Sequence, residues 1–171
     1  MRLLSLRPRL LAVASFIRPD DRVLDIGTDH ARLPVYLIQQ GLCASVTATD
    51  ISKGPLTRAL RTIKTHRLDK KITLLQTDGA EGISSADYDA VVIAGMGGDT
   101  IISIVERSPW LLDKRLVLQP QTRISDFSGM LNNLFHKVSS RTMTSSTEIK
   151  SVMRSEGFRQ YRIFSWEVID H

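Results

Sequence analysis

The stretch Asp25-Ile26-Gly27-Thr28-Asp29-His30-Ala31-Arg32-Leu33-Pro34 constrains this chain more than any other. It follows Asp21-Arg22-Val23-Leu24, which reads as a short buried strand. It leads into an apolar stripe of Leu33, Leu37 and Ile38 closed by Gly41. The order is therefore strand, glycine turn, amphipathic helix. A small residue at such a turn lets the backbone pass close to a ligand, in the crevice beyond the carboxyl end of the strand where open α/β sheets bind ligands.

The pattern then repeats. Leu6, Leu10, Val13, Ala14 and Ile17 recur at helical spacing before the first strand. Val46 to Thr49 predicts a second strand ending at Asp50, and Leu56, Ala59, Leu60 and Ile63 form one stripe of an otherwise basic helix. Ile72 to Leu75 predicts a third strand ending in Asp78-Gly79. Tyr88 to Ala94 is an apolar run suited to a strand buried on both faces, ending in Gly95-Met96-Gly97-Gly98. A helix through Ile101, Ile104 and Val105 and a strand from Arg115 to Leu118 follow. Strands alternating with helices predict an α/β fold with a mostly parallel, doubly wound sheet.

At 171 residues the chain is read as a single domain, 1–171, with its core in 1–138. An amphipathic helix runs from Phe127 to Val138. Beyond it, Ser139 to Thr147 is rich in Ser and Thr. Ser145-Ser146-Thr147-Glu148 matches a capping box, which predicts a helix through Ile149, Val152 and Met153. Phe158 to Ile169 alternates as an edge strand would.

The strand ends carry the chemistry. The first has Asp25 and Gly27, the second Asp50 followed by Ile51, the third Asp78-Gly79 and the fourth Gly95-Met96-Gly97. A dinucleotide fingerprint needs G-x-G-x-x-G, but the later glycine positions hold Asp29 and Pro34, and two carboxylates beside the turn would repel a pyrophosphate. They suit a ligand with amine, hydroxyl and cationic groups, and S-adenosylmethionine (SAM) has all three. An acid ending the second strand can accept from both ribose hydroxyls, and one after the third can accept from the adenine amine. Glycines after the fourth clear space where the methionine part meets its target. Each acid alone reads equally as a turn residue or helix cap.

Composition adds limits. Hydrophobic content of 42% and charged content of 24% suit a soluble globular protein. A single cysteine, Cys43, excludes an internal disulfide framework and a cysteine-rich metal site, so no metal is expected. No apolar run is long enough to cross a membrane, and Met1 to Leu11 does not resemble a secretory leader. A cytoplasmic location and a monomer are the expectations. The formal charge of +5 is unevenly spread: Lys53 to Lys71 holds seven Lys/Arg against Asp69, whereas Asp78 to Asp113 holds seven acids against Arg107. With the N-terminal arginines, the basic stretch reads either as a nucleic-acid footprint or as a solvated helix face.

The chain resembles the bacterial tRNA (adenine-N1)-methyltransferases of the TrmK family, which modify adenine 22. The resemblance rests on Asp25 to Pro34, Ala94-Gly-Met-Gly-Gly98 and Leu118-Gln-Pro120, supported by Leu6-Arg-Pro-Arg-Leu10 and Ile51-Ser-Lys-Gly-Pro55. It runs from about residue 3 to about residue 125 and implies a Rossmann-like SAM-dependent methyltransferase fold. It places Asp25, Gly27, Asp50, Ile51, Asp78, Gly79, Gly95, Met96 and Gly97 at the cofactor. Asp29 and His30 fall beside the transferred methyl, and tRNA is the implied partner. Asp50 departs from the glutamate many members are expected to have, with its role preserved. The family appends a helical domain after the sheet, and this chain is expected to end at His171 without it.

Methyl transfer to a ring nitrogen needs no strong base, because adenine N1 already holds an in-plane lone pair. The base becomes cationic as the bond forms, and a carboxylate near N1 or the N6 amine stabilises that charge. Asp29 is the candidate, with His30 orienting it or the base; Asp29 as the N-cap of the next helix is the structural alternative. Arg7, Arg9, Arg32, Lys53 and Arg123 are the candidate RNA contacts. The chain lacks the Asn/Asp-Pro-Pro-aromatic motif of amino-group methylation; Gly95 to Gly98 in its place fits a ring nitrogen better. A small-molecule SAM methyltransferase and a SAM-binding protein without catalysis are the alternatives.

Overall fold

The computed structural model describes residues 3–138, 146–156 and 159–169. Seven strands form one sheet: β1 (Arg22–Ile26), β2 (Ser45–Asp50), β3 (Ile72–Gln76), β4 (Ala90–Met96), β5 (Arg115–Pro120), β6 (Ser146–Glu156) and β7 (Arg159–Ile169). Their order is β3-β2-β1-β4-β5-β7-β6. Strands β1 to β5 are parallel, and β7 runs antiparallel to both β5 and β6. The strand order reverses between β1 and β4, and the crevice outside that point is where such sheets bind ligands.

Alternation along the strands explains the layers. Val23, Val46, Ala48, Ala90, Val92 and Val117 face one side. There they pack against Val13 and Ala14 of α1 (Pro8–Ala14), Leu33 and Leu37 of α2 (Arg32–Gln39), and Ala59 and Ile63 of α3 (Lys53–Thr65). Leu24, Ile26, Val91, Ile93, Leu116 and Leu118 face the other. They meet Ile101 and Ile104 of α4 (Gly98–Arg107) and Phe127, Leu131 and Leu134 of α5 (Phe127–Val138). A sheet covered on both faces needs apolar residues at both parities, which is why β4 is an uninterrupted apolar run.

The far end of the chain departs from the sequence reading. The capping-box signature at 145–148 predicts a helix, yet Ser146–Glu156 is a strand paired along its length with β7, from Ser146 opposite Ile169 to Glu156 opposite Arg159. A cap satisfies one or two backbone groups, whereas the ladder satisfies donors and acceptors along the strand, so the pairing overrides the local signal. The expected edge strand is instead internal, because β7 lies between β5 and β6. The Ser/Thr-rich residues at 139–145 lie outside the described residues, as does Phe158.

At the amino ends of the strands, an ion pair ties the two halves of the sheet. Arg115, at the start of β5, donates through Nη1 to Asp21 Oδ2 ahead of β1 and through Nε to Glu167 Oε1 of β7 at 3.4 Å. The Arg115 and Asp21 side chains are only 10% and 6% exposed. Removing one member of a buried pair strands the other charge. Arg115→Met should therefore lower the unfolding free energy by about 3 kcal/mol or more in urea titrations; a loss under about 1 kcal/mol would mean that water screens the pair.

Candidate functional site

The backbone between β1 and α2 sets the site. Gly27, Asp29 and Ala31 all take positive φ, at 77°, 52° and 51°. The left-handed conformation thus recurs at alternate residues, two of them with side chains, and that is uncommon outside glycine. The positive φ favours glycine at 27, and an added Cβ would also lie 2.0 Å from the Met96 methyl carbon, so that side chain would have to move. The Gly27 and Thr28 amides donate to the Thr49 carbonyl at 2.9 and 2.8 Å, which pins the turn to the end of β2. Asp29 is not the cap of α2. That position belongs to Ala31, which offers no side-chain bond.

Two cavities flank Gly27 at the carboxyl ends of the strands. One, of about 380 Å³, is lined by Arg7, Arg9, Asp25, Thr28, Asp29, His30 and Arg32. The other, of about 520 Å³, is lined by Asp50, Ile51, Thr77, Asp78, Gly79, Met96 and Arg107, with residues of α4. Gly27 borders both, and Met96 packs over it between them.

In the first cavity Asp25 is 5% exposed. Burial pushes its carboxyl from 3.8 up to about 6, and the charge of Asp50 adds to the rise. Thr28 sits near enough to oppose it, but its hydroxyl makes no well-aligned hydrogen bond, so burial decides. A buried acid beside arginines can take both ends of an amino acid, ammonium on the acid and carboxylate on a guanidinium. Asp29 receives a hydrogen bond from Arg58 of α3 at 3.1 Å and lies 3.6 Å from His30 Nε2. Both side chains stay open to solvent, Asp29 at 62% and His30 at 46%.

In the second cavity the Asp50 carboxylate accepts from the Asp29 amide at 3.3 Å and the Ser52 amide at 3.1 Å. Two of its acceptor sites are thereby used for orientation, and others remain for hydroxyls. Ile51 is 61% exposed, an apolar surface without a cover. Asp78 is gripped by Arg107 of α4 through two hydrogen bonds of 2.8 and 2.9 Å. That guanidinium holds the Asp78 carboxyl below the usual carboxylate range. Thr28 and Thr49, one in each cavity, are buried with unpartnered hydroxyl oxygens, and buried polar groups are rarely left so.

The sequence candidates divide. Asp25, Gly27, Asp29 and His30 gather in the first cavity, and Gly27, Asp50, Ile51, Asp78, Gly79 and Met96 in the second. Gly95 forms a bulge in β4 against Arg9, and Gly97 caps α4 beside Thr122. Of the expected RNA contacts, Arg7, Arg9 and Arg32 line the first cavity instead of forming a separate surface. Arg9 donates to the buried Gln119, and Arg32 to the Ser5 carbonyl at 3.0 Å. Lys53 begins α3 in solvent, and Arg123 lies 3.6 Å from Asp126, outside both cavities. The sequence reading missed Arg58, Arg107, Thr28 and Thr49. Only Arg107 had a visible signal, as the lone base in an acidic block.

Residues 6–152 match the family model described as a methyltransferase domain. The chain is 39% identical over 119 residues to a tRNA (adenine(22)-N(1))-methyltransferase of Bacillus subtilis, covering 68% of this chain and 50% of that protein. It spans about half the length of the curated relatives it matches. The crystal structure of the B. subtilis m1A22 tRNA methyltransferase TrmK superposes with a TM-score of 0.84 at 30% identity, over 98% of this chain and 68% of that one. The structure of M. capricolum TrmK with S-adenosyl-homocysteine gives a TM-score of 0.76 at 27% identity, over 97% of this chain and 71% of that one.

The buried Asp25 carboxylate yields a test on the protein alone. Because its folded pKa lies above the ordinary value of 3.8, ionisation penalises the folded state fully above about pH 6. The penalty fades as pH falls from about 6 towards 4, by about 2–3 kcal/mol in all. Asp25→Asn should accordingly melt higher than the native chain at pH 8 and lose that advantage near pH 4. An unchanged melting difference across this range would place the carboxylate in water.

Proposed function

The chain belongs to the methyltransferase-domain family and within it to the TrmK group, and from that premise we propose that it transfers a methyl group from SAM to N1 of adenine 22 in tRNA. The observation that carries the reading is the pair of adjoining cavities that share Gly27 at the carboxyl ends of the strands, Asp25 with Asp29 and His30 lining one and Asp50 with Asp78 lining the other. The donor set fits SAM. Asp25 would take the ammonium and Arg9 or Arg7 the carboxylate, while Asp50 would accept from the ribose. Ile51 would lie against the adenine, and the orphaned hydroxyls of Thr28 and Thr49 would find acceptors or donors on the ligand. When bound, SAM supplies an activated methyl that leaves its sulfonium as a neutral thioether remains.

The protein's part is positioning and charge. A target adenine must leave its stack to reach the crevice. Asp29 would face N1 or N6, held by Arg58 with His30 beside it, and its carboxylate would offset the positive charge that methylation leaves on the ring. It can also accept the N6 proton as that charge is discharged. The solvent face of α3, with Lys53, Arg58, Arg61 and Lys64, suits the phosphates of an RNA partner. This reading makes the chain a single catalytic domain acting in the cytoplasm, where tRNA is processed. A small-molecule substrate would leave the basic face of α3 without a partner.

Asp29→Asn keeps the size of the side chain and tolerates the left-handed backbone. It should bind SAM as the native chain does and slow single-turnover formation of N1-methyladenosine in tRNA by about 10²–10⁴-fold. Native speed would reduce Asp29 to a backbone role. No N1-methyladenosine from the native chain, with SAM and total tRNA saturating, would remove the assignment.

A further inference from the structure

The second cavity contains a contact that ribose binding and methyl transfer do not require. Arg107, in the last turn of α4, meets Asp78 end-on, Nη1 to Oδ2 and Nη2 to Oδ1, at 2.8 and 2.9 Å. Such a fork fixes the plane of the carboxylate and engages one lone pair on each oxygen, leaving the outer pairs free. Both residues border the cavity, and Asp78 and Arg107 also line a smaller hollow of about 100 Å³ beside it. The spacing is fixed by packing. An added Cβ on Gly79 would already lie 3.1 Å from Ile104, one turn before Arg107, so α4 rests directly on the Asp78-Gly79 turn. Exposed Ile51 gives the same cavity an apolar surface for a flat ring.

We propose that Arg107 is a positioning residue that sets base specificity at the cofactor site, fixing Asp78 so that its free lone pairs accept from a 6-aminopurine and repel a 6-oxopurine. This rests on the SAM reading of the cavity. An adenine presents an N–H donor at position 6, whereas a hypoxanthine presents a carbonyl oxygen, and a fixed carboxylate separates the two by sign. The guanidinium also holds the Asp78 carboxyl below the usual carboxylate range, which favours the ionised, acceptor form. Arg107 matters here for its shape: a lysine supplies the charge but cannot hold two oxygens in one plane. At 47% and 43% exposure, the pair can be altered without opening the core.

The test is calorimetry of S-adenosylhomocysteine and S-inosylhomocysteine binding to the native chain and to Arg107→Lys, Arg107→Ala and Asp78→Asn, with melting curves for each. The native chain should prefer the adenosyl compound by about tenfold or more. Arg107→Lys and Arg107→Ala should each weaken the adenosyl compound by about 5–20-fold, with the inosyl compound changed by less than about twofold. Asp78→Asn, whose amide can donate to a carbonyl, should erase or invert the preference. If the Arg107 variants weaken both compounds in parallel, or neither, the pair merely ties α4 to its loop and the proposal fails. If the native chain binds neither compound, the SAM reading itself fails; a native chain that binds both equally leaves SAM in place and removes only the specificity.

Discussion

A carboxylate buried in a protein pays for its ionisation unless the surroundings return the lost hydration, and here the fold buries one against a cavity. Asp25 sits on β1 between β2 and β4, opposite Ala48 and Val92, at the point where the strand order reverses. It shares its side of the sheet with Val23, but its carboxyl faces a cavity instead of the core. Burial raises its pKa to about 6, and the neighbouring charge of Asp50 works in the same direction. The ligand-free fold is therefore less stable at neutral pH than it would be with an amide there. A cation arriving in the cavity reverses that balance. Function and instability have one cause at this position.

The turn that follows is what keeps the acid and its neighbours in place. Its amides are spent on the Thr49 carbonyl, and the Asp29 amide on the Asp50 carboxylate. A turn with its donors so used has little to offer a phosphate, in agreement with the acids around it and with a ligand bearing positive charge. The same bonds carry geometry from one cavity to the other. Asp50 is oriented by the backbone of Asp29, and the Asp29 side chain is held by Arg58 of α3. Asp50 as the candidate ribose acceptor, Asp29 as the candidate catalytic carboxylate and the basic helix thus form one connected set.

Much of this was legible in the residues, for physical reasons that differ by element. Strands β1, β4 and β5 declare themselves because a doubly covered sheet demands apolar residues on both faces, β2 and β3 show shorter apolar runs towards the sheet edge, and an acid or glycine marks each of the first four strand ends. Strand β6 does not. The Ser145-x-x-Glu148 signature in the sequence and the spacing of Ile149, Val152 and Met153 describe a helix locally, and only the pairing with β7, from Met153 opposite Arg162 to Glu148 opposite Glu167, settles the matter. The acids of the site were visible as strand ends, but their partners were not. Arg58 and Arg107 reach Asp29 and Asp78 across 29 residues in each case, a distance no local pattern records. For the arginines near the N-terminus, composition records only positive charge, whereas the fold adds their place: Arg7 and Arg9 line the first cavity.

The account turns on Asp25 as the acid that meets the ligand's positive charge, and its titration can be followed directly by carboxyl carbon NMR on labelled protein. Without ligand the Asp25 resonance should titrate near pH 6. With SAM saturating, its midpoint should fall by about one unit or more, as an ammonium beside a carboxylate favours the ionised form. A midpoint near 4 in the free protein, or one that SAM leaves unmoved, would contradict the account.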